Sequence, residues 1–506
     1  MNPAQKRATA IDADLVPLPV MEDYQPPAPE ETPPAKASTS DRRKRAQAAP
    51  DDEPQAATDP SEDEPEAAQA APEATQAKIV SYYDCERKEY LTLSQRGVYL
   101  SLPEASYKRH LRAVGISSKP QDGGLLSAAD RHILETQHER DISYSGRLCG
   151  RSAGFYEEGG TRFLVTSGLD LPAPAPGPFP TIKAIIHGLL GGDETHGKTQ
   201  VHTFMGWLQV GQVALRARRI QAAQAMAIAG PPGCGKSLLQ ALVTILFGGR
   251  QAKPHRYMTG ATEFNSDLFE AEHLVLEDEF MSPRISDRLK LGASIKNICV
   301  SSRSQSCHRK GRPAVNLPAW WRLSISLNDD PEALLVLPPL DEHLADKIIL
   351  LRPSHFIFPM PMDSGEAQER MIAECRQEAP GFLHWLINTF RLPEALVDDR
   401  RYGVASWKHP DLVEALNCLS PEASLLALAD AVLWTSGATE WRGNADELER
   451  ILMDDHETAG QARKLLEWRA AAGTYLGRLS TRPEPRVKDA RKMNRREWII
   501  TAPMTA

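Results

Sequence analysis

The chain has 506 residues, 41 % of them apolar, with 59 basic against 67 acidic side chains and a net charge of −8. That length supports two to four domains around a sizeable core. No run of about 18 apolar residues exists, so no membrane span is expected, and the N-terminus lacks the basic-then-apolar pattern of a secretory leader. Seven scattered cysteines (Cys85, Cys149, Cys234, Cys299, Cys307, Cys375, Cys418) contain no C-x-x-C pair. This argues against a zinc ribbon or a disulfide framework and reads as reduced thiols of a cytoplasmic protein.

The charge is uneven. Residues 1–77 hold 7 basic and 16 acidic residues, a net −9, leaving +1 for the rest. An acidic total therefore does not oppose nucleic-acid binding by local patches. Segment 1–77 is rich in Pro, Ala, Glu and Asp and cannot bury enough apolar surface to offset its ordering entropy, so it reads as a disordered tail. Its basic cluster Arg42–Arg45 reads as a solvated charge run.

Residues 78–180 read as a mixed α/β domain. Val80–Tyr83 and Arg162–Thr166 have strand composition. Ser101–Gly115 reads as a helix with a glycine stop. Leu171–Pro180 (LPAPAPGPFP) is a linker by composition. Residues 181–224 read as a helical collar that includes Val201–Arg219, and 225–362 as an α/β core. In that core the short apolar runs Ala225–Ala229, Leu274–Leu276 and Leu323–Leu327 alternate with helical stretches, the pattern of a largely parallel sheet. Residues 363–439 read as a helical domain, and 440–506 as helices followed by a basic, strand-like end.

Within the core, Gly230-Pro231-Pro232-Gly233-Cys234-Gly235-Lys236-Ser237 fits G-x-x-x-x-G-K-[ST]. Glycines let backbone amides close around phosphate oxygens, and the helix that follows, beginning near Leu238, turns its N-terminus to the anion. Lys236 would set its ammonium against the β- and γ-phosphates, and Ser237 would hold Mg²⁺ through its hydroxyl. A second element is expected on a neighbouring strand: His273–Leu276 runs into Glu277-Asp278-Glu279. There Asp278 would hold the metal ion and Glu279 would polarise the attacking water. A third strand, Leu323–Leu327, ends in Asn328, whose amide could meet the γ-phosphate or that water.

Taken in order, a P-loop, an acidic strand, a basic hairpin region and a strand ending in Asn resemble superfamily 3 helicases, most of all the primase-helicases of phages, plasmids and integrated elements. The resemblance spans about residues 78–360. It implies an AAA+-like core, a homo-hexameric ring, ATP and Mg²⁺ as cofactors, and movement along single-stranded or forked DNA. Asn328 matches the family's sensor residue. The stretch from Cys307 to Arg312 falls where the family places a DNA-tracking hairpin, which makes Lys310 the candidate backbone contact, with Arg309 and Arg312 beside it. The family's arginine finger, which completes a neighbour's site, is matched by Lys347, with Arg352 as the alternative; a lysine stabilises transition-state charge less specifically.

Residues 461–506 carry 11 basic and 4 acidic residues, a net +7. They are similar to the winged-helix tails of such proteins, with Arg478 on a recognition helix and Lys488, Arg491, Lys492, Arg495 and Arg496 on a hairpin wing that would touch phosphates. No spaced carboxylate triad of a primase stands out before the P-loop, so a primase would be a separately encoded partner. The rival readings are an ATP-dependent initiator or loader that does not unwind, and a DNA-independent ATPase.

Overall fold

The computed structural model describes residues 80–120, 125–277, 285–300, 304–340, 344–434, 437–481, 485–492 and 495–503. The chain divides into Met1–Gln76 and Ala77–Ala506, and every described residue belongs to the second unit.

An N-terminal sheet has the order β3-β2-β1-β4, from β1 (Ser81–Asp84), β2 (Glu89–Leu93), β3 (Tyr99–Pro103) and β4 (Asp141–Ile142). The first three strands form antiparallel hairpins, and β4 joins β1 in parallel. Helices α1 (Glu104–Ala113) and α2 (Ala128–Glu139) cover it, with Tyr107 stacked on Tyr90 at 4.3 Å. The helix expected from Ser101 starts at Glu104 instead, because Ser101 and Leu102 pair with β2 and Pro103 ends that strand. The strands β5 (Tyr144–Gly146), β6 (Gly154–Glu158) and β7 (Thr161–Val165) make a second small sheet.

The Pro-rich stretch after β7 is not a loose tether. Ala175 N–H donates to the Pro380 carbonyl at 3.1 Å, and a Cβ on Gly381 would lie 2.5 Å from the Gly177 carbonyl oxygen. The chain thus packs against α7 (Gly365–Asn388), where an internal proline already interrupts the helical ladder. Two collar helices precede the core: α3 (Pro180–Leu190) and α4 (Gly197–Arg216). The amides of Thr181 and Ile182 donate to the buried Glu378 carboxylate of α7 at 3.0 and 2.8 Å, satisfying two of the donors a helix start leaves unpaired.

The central sheet holds β8 (Ala225–Ala229), β9 (Gln251–Ala252), β10 (His273–Leu276), β13 (Arg322–Leu327) and β14 (Ile348–Leu351), all parallel, in the order β14-β8-β13-β10-β9. Every residue of β8, β10, β13 and β14 is buried, as expected of a parallel sheet covered on both faces. Each buried Leu or Ile there contributes about 1.5–3 kcal/mol of transfer free energy. Helix α5 (Lys236–Leu246) follows β8, and α6 (Ile285–Val300) leads to the hairpin β11 (Gln305–Cys307)–β12 (Val315–Leu317).

Beyond α7 come α8 (Pro410–Cys418), α9 (Pro421–Leu433), β15 (Glu440–Gly443), α10 (Ala445–Asp454), α11 (Ala459–Leu465), α12 (Ala471–Ser480), β16 (Val487–Lys492) and β17 (Arg495–Thr501). A second core gathers α9, α10, α12 and the antiparallel sheet β15-β17-β16 around Leu425, Leu448, Leu476 and Trp498. The expected helical domain 363–439 is split between the two cores. Met371, Phe382 and Leu386 of α7 join the main core, while α9 packs with the C-terminal unit. The outer edge of β14 is covered: Leu350 N–H donates to the Trp407 carbonyl and His409 N–H to the Leu350 carbonyl, at 3.1 and 2.9 Å. Among the described residues, no single helix is long and apolar enough to cross a membrane.

Candidate nucleotide site and its surroundings

The P-loop leaves the buried end of β8 and enters α5. Gly230 N–H donates to the Leu327 carbonyl at the end of β13, at 3.2 Å. A Cβ on Gly230 would meet Pro353 Cγ at 2.6 Å and its carbonyl oxygen at 2.7 Å, so a side chain has no room there. Gly233 and Gly235 have φ of +73° and +114°, which glycine adopts without strain. Gly235 is the N-cap of helix α5 and no side chain caps it, so the helix start keeps backbone donors for an anion. The hydroxyl-bearing Ser237 lies exposed on this first turn, while Cys234 and Leu238 are buried beneath it.

The Lys236 ammonium is the centre of the site. It donates to the Gly230 and Pro231 carbonyls at 2.8 and 3.0 Å and to Asn328 Oδ1 at 2.9 Å. The loop lysine and the third-strand asparagine are 92 residues apart in sequence and touch because β13 lies directly beside β8.

That adjacency corrects one expectation. The acidic strand β10 is not the neighbour of β8; β13 intervenes. Side chains keep the three strands in place relative to α5. Gln240 of α5 donates to Ser324 Oγ of β13 at 3.0 Å and to the Leu276 carbonyl of β10 at 3.3 Å. His273, fully buried, contacts Thr244 Oγ1 at 2.7 Å and Ser324 Oγ at 2.8 Å. Burial holds its imidazole neutral, pushing its pKa down to about 3. Sequence reading missed this network because each member is an ordinary polar residue until the fold brings them together. Past the strand, Glu277 pairs with Lys253. Asp278 and Glu279 lie outside the described residues.

The two finger candidates sit at opposite ends of β14. Its register sets Ile348 against Ala225 and Leu351 against Ile228. Arg352 is therefore level with the start of the P-loop, and Lys347, five residues earlier, is roughly 16 Å away at the other end of the strand. The Arg352 guanidinium pairs with Asp411 and reaches Asp329 at 3.8 Å. With Pro231, Asp329, Pro353, His355 and His409 it lines a cleft of about 320 Å³ beside its own loop. Asp193, on the same cleft, accepts from His196 and Thr195 amides and contacts His409 Nε2 at 3.1 Å; the His196 amide, then His409, hold its carboxyl below the usual range. Lys347 is buried, its ammonium on Asp346 at 2.5 Å.

The basic stretch after β11 separates into two roles. Lys310 is exposed and lines a cleft of about 420 Å³ with Lys253, Arg256, Tyr257, Phe264 and Asp267. Tyr257 and Phe264 are 38 % and 47 % exposed, which places bare aromatic faces among cations. Arg309, expected to lie beside Lys310 as an exposed cation, is turned inward. It is 9 % exposed, donates to Glu86 Oε2 at 2.6 Å and the Ser143 carbonyl at 3.0 Å, and lies over the Tyr144 ring. Arg312 is half-buried, 4.0 Å from the same carboxylate.

In the C-terminal unit, Arg478 of α12 is tied to Glu422 of α9 at 2.9 Å, inside a cleft shared with Arg288 and Lys408. Lys488 is exposed on β16. Arg496 pairs with Asp489 and lies over the Trp498 ring at 4.4 Å. The side chains of Arg491, Lys492 and Arg495 lie outside the described residues. Among the described residues, no three His, Cys, Asp or Glu side chains gather as a metal site. A magnesium ion held by one hydroxyl, one carboxylate, phosphates and water needs no such cluster.

No family model matches the chain, and no curated protein matches it. Among solved structures, the apo C-terminal region of NrS-1 is 12 % identical and covers 84 % of this chain and 96 % of that one, with a TM-score of 0.49. JCV helicase is 15 % identical and covers 49 % and 70 %, with a TM-score of 0.21. These are likenesses of shape at low identity, and neither carries a residue role or an activity to this chain.

Proposed function

We propose that the chain is an ATPase that couples hydrolysis to movement along DNA, a helicase acting as a ring of like subunits in the replication of a mobile element. The observation that carries the reading is the Lys236 ammonium. It joins the carbonyls of a phosphate-type loop to Asn328 on the adjacent strand, so one cation meets both groups that would flank a γ-phosphate. On binding, phosphate oxygens replace the loop carbonyls as its partners, and Asn328 is released to orient water or the γ-phosphate. Gly230 to Leu238 cradle the phosphates, and the cleft beside Pro231 takes the nucleoside. Ser237 and Asp278 hold magnesium, whose charge offsets that of the β- and γ-phosphates. Glu279 is assigned to the attacking water. Arg352 serves its own chain's nucleotide, and Lys347 is left as the candidate for a neighbour's site, provided it leaves Asp346.

The DNA path is assigned to the cleft under Lys310, where cations meet phosphates and Phe264 and Tyr257 offer stacking faces, a combination that suits single strands. The C-terminal cations Arg478, Lys488, Arg491, Lys492, Arg495 and Arg496 are assigned to secondary phosphate contacts. The test is strand displacement on a forked duplex with ATP and magnesium. Wild type is expected to separate strands, and Lys310→Ala to retain basal turnover while losing DNA stimulation and about one unit of salt slope. ATP hydrolysis with DNA binding but no displacement would replace the helicase with a loader, and turnover indifferent to DNA would reject both.

A further inference from the structure

Two hairpin turns from different parts of the chain meet tip to tip. One is the β1–β2 turn, residues 85–88, pinned by the buried Asp84, whose Oδ1 accepts the Glu86 and Arg87 amides at 3.1 and 3.0 Å. Ser145 Oγ donates to its other oxygen at 2.8 Å. The second is the β11–β12 turn, residues 308–312, which carries Lys310. Glu86 and Arg309 close the gap at 2.6 Å, with side chains 11 % and 10 % exposed. Burial raises the Glu86 pKa, and Arg309 and Arg312 oppose that rise. Asn265, only 2 % exposed, grips the same hairpin by three hydrogen bonds, two at His308 of the turn and one at Ser306 of β11. Its N–H donates to the His308 carbonyl at 3.1 Å, its Nδ2 to the Ser306 carbonyl at 3.0 Å, and its Oδ1 accepts the His308 amide at 2.7 Å.

We propose that Glu86 is a positioning residue: through Arg309 it makes the N-terminal region a strut that holds the 308–312 turn and keeps Lys310 over the aromatic–basic cleft. The assignment of Lys310 to nucleic acid rests on the function proposed above; the strut itself does not. Lys310 is exposed and flanked by a residue that is not, so its backbone is set by its neighbour's side chain. Arg309 donates to Ser143 and faces Tyr144 at 5.1 Å to its ring centre, so it contacts the N-terminal region through three residues. The strut is separable from domain attachment. A second junction ties Cys149 N–H to the Phe269 carbonyl at 2.7 Å and Gly150 N–H to Glu272 at 2.8 Å, with Glu272 buried and paired to Arg250. Losing Glu86 leaves that junction intact, so the N-terminal region stays docked while the turn loosens.

The test uses the full chain with Glu86→Ala and the milder Glu86→Gln. Amide exchange without DNA reads the strut directly. Residues 306–312 should exchange about 10-fold faster in Glu86→Ala, while 148–150 exchange as in wild type. Turnover reads the consequence. Basal hydrolysis should be unchanged, and the DNA concentration for half-maximal stimulation should rise about 10-fold, a usual size for coupling through a packed contact. Glu86→Gln, which keeps the acceptor, should fall between. Read as DNA-binding affinity, Glu86→Ala should add nothing in a Lys310→Ala background. Unchanged exchange at 306–312 overturns the strut, and so does a parallel loss of basal turnover. Multiplying effects of Glu86→Ala and Lys310→Ala overturn the route through Lys310. Should wild-type turnover ignore DNA, the helicase reading falls, and the exchange result still decides the strut.

Discussion

Replacing Lys236 by methionine separates what its ammonium does for the fold from what it does for a nucleotide. Methionine keeps the length of the stem and its packing. It removes three charged hydrogen bonds, to the Gly230 carbonyl, the Pro231 carbonyl and Asn328 Oδ1. A hydrogen bond to a charged group has a net value of about 1.5–3 kcal/mol. Lys236 is 9 % exposed, so releasing its charge from burial offsets much of that loss. The folded state should therefore change by roughly 1–2 kcal/mol, and the thermal midpoint by a few degrees at most. Transition-state stabilisation has no such offset. Losing one preorganised donor to developing phosphate charge costs about 10²–10³ in turnover. Phosphate release at saturating ATP measures the second effect and thermal unfolding without nucleotide the first. A Lys236→Met chain that folds normally and hydrolyses ATP at the wild-type rate would refute the role given to this loop.

Gly230→Ala should cost about 1–3 kcal/mol and displace the loop, because its Cβ would run into Pro353 backbone and ring; thermal unfolding and nucleotide binding read both effects. Acid should weaken the fold through His273. Its folded pKa, about 3, lies below the unfolded value near 6.5, so the unfolded state binds more protons between those limits. Stability is full above pH 6.5 and falls by up to about 1.4 kcal/mol per unit as pH drops through this window. Denaturant unfolding at pH 7 and pH 5 should show a smaller difference in His273→Asn, and equal differences would reject the assignment. A brief thiol label at pH 8 should modify Cys85 and Cys418, which are exposed, and spare Cys149, Cys299, Cys307 and Cys375, whose burial raises their pKa values to about 12. Intact mass counts the labels, and four or more would contradict this burial pattern.

The P-loop and the strands around it were legible because their signals are local: eight residues of set spacing and three short apolar runs. Strand order was not. That β13 separates β8 from β10 depends on pairing between segments about 50 and 100 residues apart, which no local pattern encodes. Side-chain direction was equally hidden. Arg309 and Lys310 are adjacent cations, and partners far back in the chain, Glu86 223 residues earlier together with Ser143 and Tyr144, turn one inward. Composition reads Leu171–Pro180 as a linker but is silent on its seat against α7. It also missed Asn265, whose three hydrogen bonds to a distant turn give no sign in the sequence.

The central sheet ends on one side in β9, two residues long, and on the other in β14, whose outer backbone groups at Leu350 already bond to the 407–409 segment. A short border and an occupied one leave little backbone for another chain to zip onto. In the proposed ring, neighbouring central sheets would therefore meet through side chains and not by strand pairing. Such contacts could loosen and re-form while each sheet stays whole, which the proposed cycle of hydrolysis would require.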